Sequence, residues 1–91
     1  MSEAGWRVDL APAAQRQLRK LPPNETARLR GPILVLGRDP RPAGAGSRAG
    51  TGFWRLRVGD LRVIYAIHED TRAVVVLRVA RRNESMYRRM E

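Results

Sequence analysis

The 91-residue sequence contains no cysteine and a single histidine. Without cysteine there is neither a disulfide framework nor a thiolate metal site, and one histidine does not make a His-rich zinc site. No stretch approaches the roughly 18 apolar residues of a membrane span, and the N-terminus has no apolar segment of the kind found in secretory signals. We therefore expect a cytoplasmic protein that has no membrane partner.

Acidic residues are also scarce. Nine Asp and Glu stand against 18 Lys and Arg, which gives a formal net charge of +9. The carboxylates form no cluster of the kind that a two-metal nuclease needs. Such a charge balance indicates a polyanionic or acidic partner, such as nucleic acid, the ribosome or an acidic protein. The length and a hydrophobic content of 43% predict one folded domain over residues 1–91 with a small core.

Residues 52–68 predict two strands joined by a tight turn. Apolar and basic residues alternate along the first strand: Trp54, Arg55, Leu56, Arg57 and Val58. Period-two alternation is typical of a half-buried strand, and Gly59-Asp60 suits a two-residue hairpin loop. This loop sets the register, pairing Val58 with Leu61, Arg57 with Arg62, Leu56 with Val63 and Trp54 with Tyr65.

In that register Arg57 and Arg62 lie directly opposite each other, and Arg55 is two residues away on the same sheet face. Like charges in a cross-strand pair are destabilising, and these strands contain no carboxylate that would relieve them. Guanidinium groups bind phosphate through a planar, bidentate fork. The face is therefore a candidate anion site; the alternative is a solvated basic face in an arginine-rich chain.

The N-terminal half predicts one short strand and two helices. Trp6 to Leu10 alternates as a strand, and Pro12 suits the first turn of a helix that ends before Pro22-Pro23. The apolar stripe of the second helix is interrupted by Gly31-Pro32, so we expect either a kink near Gly31 or two short helices. Gly37 is the expected C-cap, and the helical pair would cover the apolar face of the sheet.

The remaining segments are a loop, a third strand of the meander and a tail. Residues 39–51 are predicted as a loop by composition; they lack the Gly-Lys-Ser/Thr ending of a phosphate-binding loop, although Arg48 can contact a polyanion. Ala73 to Ala80 is almost continuously apolar, which predicts a central strand buried on both faces. Ser85 to Met90 predicts a short C-terminal helix that carries Tyr87.

This order of elements resembles the RelE/ParE superfamily of bacterial type II toxins, over about residues 6–89. The resemblance depends mainly on 54–65 (WRLRVGDLRVIY) and 74–82 (VVVLRVARR), with support from 17–22 (QLRKLP) and 39–42 (DPRP). It implies an α+β, RelE-like fold: a small, mostly antiparallel sheet of an N-terminal strand plus a three-strand meander. A two-helix hairpin would pack on one face, with a short C-terminal helix.

RelE-type members cleave messenger RNA in the ribosomal A site, so the resemblance implies a ribosome-dependent endoribonuclease that uses no metal and no cofactor. The nucleotide's 2′-OH would attack the adjacent phosphate and leave a 2′,3′-cyclic phosphate. The implied catalytic residues are Arg57, Arg62, Arg82 and Tyr87. The expected RNA-binding residues are Arg55, Arg81 and Arg48, and Arg81 can exchange roles with Arg82.

The chain departs from the family in its proton-transfer groups. Some relatives have lysines where Arg55 and Arg57 stand here, and arginine effectively cannot lose a proton. Others use a Glu–His pair, but His68 is expected at a surface hairpin end, and Tyr87 would need a pKa far below about 10. The general base is therefore unassigned.

Two other functions stay open. One is a ParE-like toxin that inhibits DNA gyrase without nuclease activity, and the other is an inert relative that only binds RNA or a protein. The toxin readings imply a cognate acidic antitoxin, which would cover the helical pair and form a hetero-oligomer with this chain.

Overall fold

Within residues 5–48 and 50–81, which the computed structural model describes, the chain forms a five-stranded mixed sheet and two helices. The elements are β1 (Arg7–Leu10), α1 (Pro12–Lys20), α2 (Pro23–Val35), β2 (Ala45–Arg48), β3 (Phe53–Val58), β4 (Leu61–His68) and β5 (Ala73–Arg81). The strand order is β1-β5-β4-β3-β2, with β1 parallel to β5 and all other neighbours antiparallel. The predicted α+β fold class is confirmed. None of the helices in the described part is long and apolar enough to cross a membrane.

Both helices pack against the same face of the sheet and form one core with it. The helical layer contributes Ala14 of α1, Leu29 of α2 and the C-cap residue Leu36, which are fully buried. The buried sheet residues of this core are Leu56, Leu61, Val63, Tyr65, Val74, Val76 and Val79. The apolar face that the sequence predicts for the hairpin is thus the face that the helices cover.

The hairpin register predicted from the sequence is confirmed. Trp54, Leu56, Arg57 and Val58 pair with Tyr65, Val63, Arg62 and Leu61 respectively. Gly59 has φ of +62°, a conformation in which a Cβ is unfavourable. A Cβ at Gly59 would also collide with the guanidinium group of Arg28 on α2. The positive φ is the main reason for glycine at this turn, because the Arg28 guanidinium is the end of a long side chain that can move away.

The second helix is continuous from Pro23 to Val35, so the expectation of two short helices is wrong, while the kink near Gly31 stays a prediction. Pro32 removes the hydrogen bond that its nitrogen would donate to the Arg28 carbonyl oxygen. Only three residues of helix follow Pro32, so few helical bonds depend on it. Gly31 has no Cβ to crowd the proline ring, which makes the helical conformation before Pro32 easier.

Gly37 follows the helix for a reason different from the one expected. The C-cap is Leu36, in a right-handed helical conformation, and Gly37 is not among the glycines with positive φ. A Cβ on Gly37 would lie 3.2 Å from the Trp6 carbonyl oxygen and 3.3 Å from a methyl group of Val8. The Trp6 N–H donates to the Gly37 carbonyl oxygen at 2.7 Å. Gly37 therefore lets the end of α2 approach β1.

The segment 39–51, predicted as a loop, contains the short edge strand β2. Its residues Ala45 to Arg48 pair antiparallel with Leu56 to Phe53 of β3. The sequence Ala-Gly-Ser-Arg has little intrinsic preference for a strand, so the pairing with the otherwise open edge of β3 determines this conformation. Composition alone does not reveal such a partner.

The last strand, β5, is an interior strand between β1 and β4, although β4 is the middle strand of the five described. Its buried residues lie on both faces, with Val76 fully buried on one and Ala80 5% exposed on the other. The burial predicted from its apolar run is therefore present. The predicted C-terminal helix 85–90 lies outside the described residues.

Tyr65 ties the segment after α2 to the centre of the sheet. It is fully buried, and its hydroxyl donates a hydrogen bond of 2.7 Å to the Pro40 carbonyl oxygen. Burial raises the pKa of Tyr65 to about 12, against the opposing effect of the nearby Arg41 charge. The neutral phenol is therefore the form that the folded chain stabilises.

We predict that Tyr65→Phe lowers the free energy of unfolding by about 1 kcal/mol at neutral pH, because the Pro40 carbonyl loses its donor. An unfolded tyrosine ionises near pH 10, whereas folded Tyr65 stays neutral to about pH 12. The stability that Tyr65 contributes is complete below pH 10 and is lost as the pH rises to 12. Urea unfolding near neutral pH and at about pH 11 must show a smaller difference between the two proteins at high pH. A constant difference would contradict this account.

Candidate anion-binding face

The sheet face turned away from the helices carries four arginines whose side chains are described. They are Arg55 and Arg57 on β3, Arg62 on β4 and Arg78 on β5. The arginines of β3 and β4 alternate with core residues, and successive residues of a strand point to opposite faces. We call this surface the arginine face.

The strand register arranges the arginine face in two rows. In the first row Arg57 of β3 pairs with Arg62 of β4, and Arg62 pairs in turn with Ala80 of β5. In the second row Arg55 and Arg78 flank the central Ile64. Neighbouring strands are about 4.8 Å apart, and rows on one face are about 6.7 Å apart along a strand. The four arginine side chains therefore extend from neighbouring backbone positions within a small area of the sheet.

These four charges have no partner of opposite sign in the part of the chain that is described. Neither a hydrogen bond nor an ion pair joins any of them to a residue within 5–48 or 50–81. Arg57 is exposed, and the other three are half-buried. Directly opposed like charges are unfavourable in a sheet, so an anion bound here would remove a repulsion that the fold otherwise retains.

The centre of the arginine face is apolar. Ile64 is fully buried and Ala80 is 5% exposed, and Phe53 packs against them. Ile64 lies between Arg55 and Arg78 in the second row. Ile64 and Ala80 are thus covered by their neighbours, and the guanidinium groups around them are the part of this face that an anion would meet.

The structure brings together three of the predicted site residues, Arg55, Arg57 and Arg62. Arg48 stands opposite Phe53 in the pairing of β2 with β3. Arg82 and Tyr87, which complete the predicted catalytic set, lie outside the described residues.

Arg81 is engaged on the helix side of the sheet. Its guanidinium group donates to both carboxylate oxygens of Glu25 in the first turn of α2, at 2.8 and 2.6 Å. Asp60 of the hairpin turn lies 4.0 Å away. In this arrangement Arg81 fixes the end of β5 to α2 and does not join the arginine face.

Arg78 is the member of the arginine face that sequence reasoning missed. Continuing the alternation from Val74 and Val76 puts Arg78 on the core face. The pairing of β5 with β4 shifts by one residue between Ile64 and Tyr65, however, which moves Arg78 to the opposite face. The sequence does contain a signal for this shift. Arginine is almost never fully buried in an apolar core without a partner, so strict alternation, which would bury Arg78, is unfavourable and an extra residue in the strand is the alternative.

His68 lies at the exposed end of β4, where it pairs with Ala73. The expected place at a hairpin end is therefore confirmed. Within the described ranges, no group of three His, Asp or Glu side chains is placed to hold a metal ion.

Comparison with known proteins agrees with this architecture. Residues 8–86 match the family model for the ParE toxin of the type II toxin–antitoxin system parDE. No curated protein sequence matches the chain.

Several solved toxin structures are similar. A chain of the toxin–antitoxin complex RelBE2 from Mycobacterium tuberculosis is 31% identical, with a TM-score of 0.75, covering 86% of this chain and 99% of that one. A chain of the archaeal RelE–RelB complex from Pyrococcus horikoshii is 26% identical, with a TM-score of 0.76 and coverage of 88% and 98%. The isolated Escherichia coli RelE toxin shares the fold at 17% identity, with a TM-score of 0.76 and coverage of 93% and 94%.

The family model spans most of the chain, and the mycobacterial relative matches over nearly its whole length. The TM-score of 0.75 shows that the mycobacterial chain also shares the fold. The chain therefore belongs to the ParE toxin family of type II toxin–antitoxin systems, within the RelE/ParE superfamily.

Proposed function

We propose that this toxin is a ribosome-dependent mRNA endonuclease and that the arginine face holds the phosphate to be cleaved. The observation that carries the proposal is the opposed pair of Arg57 and Arg62, which has no counter-charge among the described residues. A phosphodiester between the two guanidinium groups would replace their mutual repulsion by charge-assisted hydrogen bonds. The ribosome, a large polyanion in the cytoplasm, suits the net charge of +9.

The reaction is a transphosphorylation within the RNA. The 2′-oxygen attacks the neighbouring phosphorus while the bond from phosphorus to the 5′-oxygen breaks, which leaves a 2′,3′-cyclic phosphate and a 5′-OH. Negative charge accumulates on the non-bridging oxygens, where Arg57 and Arg62 would stabilise it. The 2′-OH must lose a proton and the 5′-oxygen must gain one. Arginine cannot accept that proton, so we assign proton transfer to groups beyond the arginine face, with Arg82 and Tyr87 as the predicted candidates.

An antitoxin would bind on the opposite side of the molecule. The two helices form a groove of about 610 Å³. Its apolar lining includes Leu18, Leu21, Ala27, Ile33 and Leu34. Arg19 and Arg30 also line it, and Leu34 is 63% exposed. An amphipathic helix with acidic flanks would match both the apolar floor and the basic rim. The mycobacterial and archaeal relatives are chains of toxin–antitoxin complexes, which supports such a partner.

A second candidate function is inhibition of DNA gyrase. The observation that favours it is the family model, which describes a ParE toxin. In that case the arginine face would contact an acidic surface or DNA, and message cleavage would not occur.

We predict that Arg62→Ala reduces cleavage about 100- to 1,000-fold, since one donor to a developing oxyanion contributes about that much. Arg62→Lys keeps the positive charge but loses the bidentate geometry of the guanidinium group, so its cleavage rate should fall between those of the wild type and Arg62→Ala. The assay is primer extension on a reporter mRNA in a cell-free translation reaction. Arg16→Ala, which removes an equal charge from an exposed site on α1, is the matched control and should cleave normally.

Discrete cuts within translated codons, absent without ribosomes, are the expected wild-type pattern. If the message stays uncut and the protein inhibits supercoiling by purified gyrase, the endonuclease proposal is wrong and gyrase inhibition is the function. Cleavage of free RNA without ribosomes would refute the ribosome dependence.

We predict that Leu34→Glu lowers the affinity of the cognate antitoxin at least ~10-fold, because it places a charge in an apolar groove. Leu34 is already 63% exposed, so the fold should tolerate the change. Val35→Glu, on the same helix at a residue that does not line the groove, is the matched control. Isothermal titration with the antitoxin measures both. Equal weakening by the two variants would show that the antitoxin does not use the groove.

A further inference from the structure

We propose that Arg78 binds a second phosphate, so that the arginine face holds two consecutive phosphodiesters of a single RNA strand. The proposal rests on the proposed function in one respect, namely that the anion bound between Arg57 and Arg62 belongs to RNA. It adds a binding residue and a second subsite to that function.

A β-bulge puts Arg78 on the arginine face. Ile64 pairs with Arg78, but the next residue of β4, Tyr65, pairs with Val76, so Leu77 has no partner. The extra residue reverses which face each following position of β5 occupies. Val76 and Val79 consequently both enter the helix-side core although they are three residues apart. Arg78, between them, projects from the opposite face beside Ile64.

Side chains from both helices hold β5 beyond the bulge. β1 accompanies β5 only as far as Val76, and three residues later the Val79 N–H donates to Gln17 Oε1 of α1 at 2.6 Å. Arg81 then makes its two hydrogen bonds to Glu25 of α2. Arg78 lies between Val76, the last residue that pairs with β1, and Val79, which is bonded to α1. Its position is therefore set by the fold and is not that of a free surface residue.

The spacing of the two rows matches a nucleic acid backbone. Arg57 and Arg62 form the first row, and the second row, with Arg55 and Arg78 on either side of Ile64, lies about 6.7 Å further along the strands. Successive phosphates of an extended single strand recur at a comparable interval. Arg55 and Arg78 are two strands apart, about 10 Å between backbones, so their long side chains can reach one phosphate from both sides.

The environment of Arg78 also indicates a bound anion. It is half-buried next to the fully buried Ile64 and the nearly buried Ala80. Within residues 5–48 and 50–81 no carboxylate pairs with it. A partly desolvated charge without a counter-ion is costly, and a phosphate in the second row would supply that counter-ion.

The test compares two uncleavable 2′-O-methyl oligonucleotides without terminal phosphates: a dinucleotide with one phosphodiester and a trinucleotide with two. The wild-type protein should bind the trinucleotide about ten times more tightly. Arg78→Gln, which keeps most of the side-chain stem, should abolish that advantage and leave dinucleotide affinity unchanged. The salt dependence of trinucleotide binding should also fall by about 0.7 in log–log slope, the value for one phosphate contact on a single strand.

Controls separate this proposal from the proposed function. Arg78→Lys should restore part of the advantage, whereas Arg62→Gln should weaken both oligonucleotides, and circular dichroism checks that each variant folds. Equal loss for the two oligonucleotides in Arg78→Gln, no loss at all, or no binding by the wild type would each overturn the second subsite. If the protein binds both oligonucleotides as predicted but does not cut message, the second subsite is supported and the proposed endonuclease activity is refuted.

Discussion

The register of the hairpin between β3 and β4 is the constraint on which the rest of the structure depends. A slip of one residue would exchange the two faces of the sheet, exposing Leu56, Val63 and Tyr65 and burying the arginines. Full burial of one large apolar side chain is worth about 1.5–3 kcal/mol, whereas an unfavourable cross-strand pair costs only about 0.2–1 kcal/mol. The core therefore holds Arg57 opposite Arg62, and no carboxylate of residues 5–48 or 50–81 pairs with either of them. The close placement of these positive charges is therefore a consequence of apolar packing on the other face of the sheet.

In β5, too, packing on the core face determines which residue lies on the arginine face, and here it acts through the bulge. Without it, β5 would present Arg78 to the helices and turn Val79 away from the core. One unpaired residue, Leu77, resolves that conflict, and the helices stabilise the result through Gln17 and Glu25. The helical pair thus has two roles. It fills the core behind the sheet, and it fixes the end of the strand that carries one of the four guanidinium groups.

The features that the sequence predicted correctly depend on short stretches of chain. The hairpin register follows from the alternation over Trp54 to Val58 and the two-residue turn Gly59-Asp60. The bounds of α1 follow from Pro12 and Pro22-Pro23, because proline suits the first turn of a helix but not its interior. The features that were missed depend on partners distant in sequence. The strand β2 forms because it pairs with the edge of β3. The role of Arg81 depends on Glu25 of α2, to which it donates two hydrogen bonds. Within the site, three arginines could be placed in advance because the hairpin is local, while the fourth depends on the pairing of β5 with β4.

An arginine face built in this way favours one part of the proposed chemistry. It can orient phosphates and stabilise the charge of the transition state, for which each donor is worth about 100- to 1,000-fold in rate. Proton transfer, which typically contributes about 100- to 10,000-fold, requires a group that can change its protonation state, and four guanidinium groups do not supply one. In the proposed mechanism, binding and charge stabilisation would therefore come from the sheet, and proton transfer from groups outside the arginine face. If the transferring groups lie among the residues that follow Arg81, the Arg81–Glu25 ion pair matters to both parts, because it fixes the last residue of β5 to α2.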